Sequence, residues 1–167
     1  MSREIKFRVW QKYHKKMLEV LDIGFKDGKV NSVEVKYPED TIPHVVTYKK
    51  NDKKFWLDDD CIKLMQYTGL KDKNNKEIYE GDILKEENGD LDVCLYLEVV
   101  ASYGFVPIEI YMYNYKEQGE NINELSLVEE MYKEYDIQCF PRNLTPRDYL
   151  EVIGNIYENP ELLETEL

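Results

Sequence analysis

Carboxylates are the side chains of this sequence best suited to acid–base or metal chemistry, because the chain has only two histidines. Two groups of them are notable for their spacing. Asp58–Asp60 is a run of three carboxylates, of the kind that can hold Ca²⁺ or Mg²⁺ on a loop. Glu80 and Asp82 flank Gly81, and residues two apart on a strand share a face, where one carboxyl pKa can be raised for acid–base work. A carboxylate-dependent hydrolase is therefore one hypothesis.

Structural roles explain the same residues more simply. The Asp58–Asp60 run lacks the spacing of an EF-hand loop and is typical of a solvated loop or a helix N-terminus. Asp82 directly follows a glycine and is well placed to close a bend by accepting backbone N–H groups. His14 lies in a lysine-rich turn and His44 follows a proline, and neither has a second ligand at metal spacing. We expect no catalytic residue, no metal site and no cofactor.

The charge distribution argues against nucleic acid and membranes as partners. The net charge is −12, and residues 101–167 contain 14 acidic and only 4 basic residues. The nearest approach to a nucleic-acid patch is Lys49–Lys54, followed by Phe55 and Trp56, which is more simply a turn before a strand. An acidic surface repels phosphates and anionic lipids. We expect no non-specific nucleic-acid binding, which a mobility shift on random duplex DNA would test, and no membrane association.

The cysteines indicate a reducing compartment. Cys61, Cys94 and Cys139 are odd in number, distant in sequence and form no CxxC pair, so we expect mostly buried thiols without disulfides. The first ten residues have no apolar signal core, and no run approaches the ~18 apolar residues of a membrane span. These features predict a cytoplasmic protein.

Alternating apolar residues predict strands in the first part of the chain. Residues 5–10 and 17–25 are the expected arms of a hairpin, and the turn at Asp27-Gly28 leads into a third strand that Pro38 ends. Residues 40–54 are expected to form a loop, while residues 55–67 fit a helix or a strand. In the middle, Asn74-Asn75 between two apolar runs predicts a hairpin corner, since Asn tolerates left-handed angles.

The second part of the chain is predicted to contain further strands and the clearest helix. Residues 91–115 are expected to form a long β-rich run with a break at 102–104, and the apolar face of residues 123–136 predicts a helix. A short helical turn is expected at Thr145–Asp148, and the last strand should end at Asn159-Pro160. The fold class expected is mainly β, with bent antiparallel sheets, small and barrel-like, and one or two short helices. We expect a single domain over residues 1–167, with room for a smaller subdomain around residues 101–150.

Several stretches resemble the YopX family, a group of small proteins encoded largely by bacteriophages and prophages. The resemblance rests on "REIKFRVW", "LMQYTGLKDKNNKEIYEGDILK", "YGFVPI" and "VIGNIYENPEL", which together span nearly the whole chain. The family usually has Asn-Gly at the central corner where this chain has Asn74-Asn75, a change that keeps the turn chemistry. The resemblance implies a mainly β fold and a phage or prophage origin, and it implies no established activity, cofactor or catalytic residue.

Three functions remain as hypotheses. The first is a phage or prophage accessory protein that binds proteins and does no catalysis. The alternative is an acidic antagonist that mimics nucleic acid and binds a host nucleic-acid-binding protein. The third is the hydrolase. Because strands leave edges to cover and the 14 tyrosines favour interfaces, we also expect a homo-oligomer, a dimer in the simplest case.

Overall fold

The computed structural model describes residues 4–38, 45–49, 61–98, 101–118 and 149–164. It forms two compact units, Met1–Tyr67 and Thr68–Leu167. The elements, in chain order, are strands β1 (Phe7–Gln11), β2 (Lys16–Lys26), β3 (Lys29–Lys36), β4 (Val45–Lys49), β5 (Ile62–Lys71), β6 (Glu77–Tyr79), β7 (Asp82–Lys85), β8 (Leu91–Leu97) and β9 (Ser102–Pro107), helix α1 (Ile108–Gln118), strand β10 (Glu151–Asn155) and a 3-10 helix (Pro160–Leu163).

The first unit is built on an antiparallel sheet in which the strands follow the order β4-β3-β2-β1-β5. Side-chain alternation places one apolar residue of each strand on the same face: Val9 lies opposite Leu18 of β2 and Leu64 of β5. Val33 of β3 lies opposite Tyr48 of β4. These residues belong to one buried cluster, which is the core of this unit.

The second unit contains the end of β5, residues 68–71, which is followed by β6 in a hairpin, and a four-stranded antiparallel sheet in the order β10-β7-β8-β9. Both faces of this sheet are covered. Val93, Val106 and Ile108 belong to a cluster on one face that includes helix α1. Cys94 and Leu84, with opposite side-chain direction, belong to a second cluster. Because both faces are buried, the alternation of apolar and polar residues is weak along β8.

The structure confirms the mainly β class, although the strand order of both sheets, over the part of the chain described here, is open rather than barrel-like. The first two hairpins are confirmed. Asp27 and Gly28 both have positive φ (52° and 75°), as a type I′ turn requires, and Asn75 at the central corner has φ of 70°. Cys61 and Cys94 are reduced thiols.

Four local predictions were wrong. Residues 45–49, expected in a loop, form edge strand β4. The break expected at 102–104 comes earlier, between the end of β8 at Leu97 and the start of β9 at Ser102; the amide of Ala101 donates to the carbonyl of Glu98, and residues 102–104 are within β9. The last strand ends at Asn155, ahead of the expected Asn159-Pro160.

The fourth concerns helix α1, in a segment whose Ile and Tyr residues predicted strand. Pro107 ends β9 because it offers no N–H to a ladder, and Ile108 and Tyr111, three residues apart, then pack together into the core. The predicted helix at 123–136 and the turn at Thr145–Asp148 lie outside the described residues.

Candidate functional site

Among the carboxylates singled out by spacing, Asp82 has a structural position. Its side chain is buried, and Oδ2 accepts the backbone N–H of Tyr79 at 2.8 Å, which closes the bend around Gly81. Gly81 has φ of 78°, a left-handed value that strains any other residue. Glu80 is half-buried in the turn before it. The bend-closing role of Asp82 is therefore confirmed, and Asp58–Asp60 and His44 lie outside the described residues.

A second buried carboxylate, Asp72, was missed by the sequence analysis. Its Oδ1 accepts the N–H groups of Asn74 and Lys76, both at 2.8 Å, and its Oδ2 accepts that of Val152 at 2.9 Å. One side chain thus shapes the β5–β6 corner and joins it to β10. The available signal was an aspartate two residues before an Asn-Asn corner, the position from which Asx turns form.

His14 lies at the surface of the β1–β2 turn. Its backbone N–H donates to Oε1 of the buried Gln11, and its ring meets the ring of Tyr37 edge-on with 6.3 Å between centroids. Tyr37 and Tyr48 in turn share a buried hydrogen bond of 2.7 Å between their hydroxyl oxygens. Burial, with the hydrogen bond to Tyr37, raises the pKa of Tyr48 well above its ordinary value, so Tyr48 stays neutral and its hydrogen bond is structural.

Asp92 is a buried carboxyl group whose pKa is raised to near neutrality. It lies on β8 with only 7% of its surface exposed. Burial, followed by the neighbouring carboxyl of Glu86 and the charges of Asp90 and Glu109, raises its pKa to about 7. Within the described residues, no group of three or more His, Cys, Asp or Glu side chains is arranged to hold a metal ion. Asp92 is therefore a titrating group in the core, and the described residues around it form no metal-binding cluster.

The surface that faces outward is the part of the β2–β3 hairpin formed by residues 20–34, which we call the ribbon. Strand β1 pairs with β2 only from Lys16 to Glu19. Residues 20–26 continue the same edge of β2, and no strand in the described part of the chain pairs with that edge there. Strand β4 pairs with β3 only from Ser32 to Lys36, so the part of the hairpin beyond Ser32 is two-stranded, and a two-stranded hairpin is marginally stable in water.

The ribbon exposes two large apolar side chains. Phe25 is 65% exposed and Leu21 is 45% exposed. Leu21 is the extra residue of a β-bulge, because Val20 lies opposite Val35 whereas Asp22 lies opposite Glu34. Exposed apolar groups beside an open strand edge are typical of a surface that binds another polypeptide.

The charges of the ribbon are separated along its length. Asp22 lies directly opposite Glu34, while Lys26 lies directly opposite Lys29 near the turn. Like charges opposite each other on a sheet repel. Thr47 reduces the repulsion between Asp22 and Glu34 by donating a 3.4 Å hydrogen bond to Glu34. Asp27 in the turn reduces the net positive charge near Lys26 and Lys29. The ribbon therefore has an acidic end and a basic end.

The fold and this surface define a mainly β protein of two units with an exposed hairpin ribbon. Within the described ranges, every helix is too short or too polar to span a bilayer. The family model described as YopX protein matches residues 6–164. The chain belongs to the YopX family.

A solved structure is similar over nearly the full length. It is the crystal structure of protein EF1440 from Enterococcus faecalis, which has 29% sequence identity and a TM-score of 0.56, with 98% of this chain and 100% of that chain covered. None of the curated proteins matches this chain. The comparisons support the family and the fold, and they assign no activity.

Proposed function

We propose that this protein is a non-catalytic protein-binding module, an accessory protein of a bacteriophage or prophage that acts in the cytoplasm of the bacterial host. The observation that carries the proposal is the ribbon, where the exposed Phe25 and Leu21 lie beside an open strand edge. An open edge offers main-chain hydrogen bonds, and the adjacent apolar side chains offer burial, which together are the elements of recognition by strand addition.

The described carboxylates favour binding over hydrolysis. Asp72 and Asp82 accept backbone N–H groups and are buried, so their lone pairs already serve the fold. A catalytic carboxylate instead needs to reach the group from which it takes a proton. The buried Asp92 likewise lies within the packed face of β8.

Capture from a bacterial lysate tests the proposal. We expect the immobilised wild-type chain to retain specific proteins that Phe25→Ser and Leu21→Ser variants lose. Tyr113→Ser is the matched control, because Tyr113 on α1 is 60% exposed, close to the value for Phe25, and lies in the other unit. Equal capture by wild-type and both ribbon variants, with unchanged circular dichroism, would contradict the ribbon as contact surface.

Salt separates this proposal from the hypothesis of charge mimicry. Contacts through Phe25 and a strand edge should persist when the ionic strength is raised to about 0.5 M, because apolar burial is not screened. A basic partner held by the acidic residues of the chain should be released under the same wash. Release of every captured protein at this ionic strength would favour the hypothesis that the chain mimics the charge of nucleic acid.

A further inference from the structure

The separated charges of the ribbon specify the charge pattern of a partner. Each end repels itself across the ladder, with Asp22 against Glu34 and Lys26 against Lys29. A partner strand that runs antiparallel along β2 relieves both repulsions only if it presents positive charge at the acidic end and negative charge at the basic end. The free edge of β2 has that pattern itself when it is turned through a two-fold axis.

The sequence of the edge fits such self-pairing residue by residue. If residues 22–26 of two copies pair antiparallel about Gly24, Asp22 of one copy lies opposite Lys26 of the other, twice by symmetry. Ile23 lies opposite Phe25, also twice. Because alternate residues share a face, the charged pairs fall on one face and the apolar pairs on the other. The apolar face is the one that carries Val33, opposite Ile23, in the core of the first unit.

We infer that the partner of the ribbon is a second copy of this chain, joined by antiparallel pairing of residues 22–26 across a two-fold axis at Gly24. This inference rests on the ribbon being the contact surface of the proposed function. In this dimer the sheet of the first unit of one copy continues into the sheet of the first unit of the other copy. The pairing also covers the exposed Phe25 of each copy.

The size of the contact sets its strength. Five residues of strand extend about 17 Å, and a contact of that length lies at the small end of specific interfaces. The bulge at Leu21 ends the regular edge on one side, and the register shift against β3 between Gly24 and Phe25 adds twist at its centre. We therefore expect a dissociation constant in the micromolar range, about 1–100 µM.

Sedimentation velocity of the full chain from about 2 to about 200 µM is the direct test. The mass should rise from 20.0 kDa toward twice that value. Phe25→Ser should weaken the association at least about tenfold, whereas Tyr113→Ser should leave it unchanged. A mass that stays at the monomer value throughout the range would overturn the inference.

Charge exchange tests the register. Asp22→Lys and Lys26→Asp should each weaken association about tenfold, because each sets like charges opposite each other at the two-fold. The double variant restores opposite charges and should regain dimerisation. Glu87→Lys, at an exposed position in the second unit, is the control for charge change. Failure of the double variant to recover would overturn the proposed register. Neither single exchange threatens the fold, since Lys at position 22 would face Glu34 and Asp at position 26 would face Lys29.

The two proposals fail in distinguishable ways. A monomer whose lysate partners still depend on Phe25 would end the inference and leave the binding module standing. A dimer that dissociates on Phe25→Ser but captures no other protein would support the inference while removing the wider binding function.

Discussion

The edge of β10 in the second unit and the edge of β2 in the first unit differ in whether their backbone groups are hydrogen-bonded. Along β10, the N–H of Val152 donates to Asp72, the carbonyl of Leu150 accepts from the N–H of Lys73, and the carbonyl of Val152 accepts from Nζ of Lys76. Along residues 20–26 of β2, no described strand takes up the edge.

The difference teaches that a single buried carboxylate can close an edge. Asp72 fixes the β5–β6 corner and the start of β10 with three hydrogen bonds, so the backbone there has no capacity left for another chain. The ribbon carries its aspartates and lysines outward, where they cannot serve the backbone and instead set the charge of a surface. Natural proteins protect most edges, and an edge left open beside exposed Phe25 is the place to look for a partner.

The largest expected effect on stability comes from removing the carboxylate of Asp72, which closes the edge of β10. Asp72→Ala should lower the free energy of unfolding by about 3–5 kcal/mol, because it leaves three backbone N–H groups without their acceptor. Asp22→Ala, which removes an exposed carboxylate of the ribbon, should change it by less than about 0.5 kcal/mol. Urea denaturation of both variants measures the contrast, and similar losses would mean that the two edges do not differ as described.

Glycine positions sharpen the same contrast at a smaller scale. Gly81→Val should cost about 1–3 kcal/mol, since φ of 78° strains a branched residue and the peptide cannot relax. Its N–H donates to Cys94 and its carbonyl accepts from Ile156. Gly28→Val has nearly the same φ but stands in the exposed ribbon turn, where a Cβ meets nothing within 4 Å, so we expect about 1 kcal/mol. A thermal melt in which Gly28→Val is the more damaging change would contradict this reasoning.

The smallest expected effect depends on pH and belongs to the second unit alone. The pKa of Asp92 is raised from 3.8 in the unfolded chain to about 7 in the fold, so ionisation opposes folding. The cost is absent below pH 3.8, grows between pH 4 and 7, and is complete above pH 7. A pKa raised from 3.8 to about 7 corresponds to an ionic cost of about 4 kcal/mol. Burial of the amide without the hydrogen bond to Glu86 offsets part of the gain, so Asp92→Asn should stabilise the protein by about 1–2 kcal/mol at pH 8 and by nearly nothing at pH 4. Denaturation midpoints at the two pH values measure this difference.

The control for that experiment is Asp90→Asn, which removes an exposed carboxylate from the same turn without removing the buried one. It should shift the two midpoints almost equally. Stabilisation by Asp92→Asn that is as large at pH 4 as at pH 8 would mean that packing or hydrogen bonding of the amide, and not the charge, is responsible.

Local chemistry allowed part of this architecture to be predicted. Asp27-Gly28 and Asn74-Asn75 are corners because few other residue pairs accept positive φ, and the alternation of Val9, Leu18 and Val33 suffices to place a core face. The bend at Gly81 and Asp82 was likewise predictable, since a glycine followed by an aspartate supplies both the φ and the acceptor.

Helix α1 shows where local pattern was insufficient. Ile, Tyr and Met in the segment that begins at Ile108 favour strand by intrinsic preference, and no cap signal contradicts them. Burial of Ile108, Ile110 and Tyr111 against β8 and β9 outweighs that preference, and it depends on the pairing of those strands into a sheet. Edge strand β4 was missed for a related reason, because Val46 and Tyr48 acquire a face only once β3 lies beside them.

The sequence by itself determined the mainly β class, the positions of the turns and the family, because these depend on backbone preference and on short motifs. Only the tertiary structure decided which carboxylates close the fold and which surface stays open. Asp72 is a surface residue by type and becomes buried because β10, about eighty positions later, brings an N–H to it. Asp22 and Lys26 are unremarkable in the sequence and become opposite ends of a ribbon because β3 sets Glu34 and Lys29 across from them while β1 stops short. Both outcomes depend on pairing register, which fixes long-range neighbours that no local pattern contains.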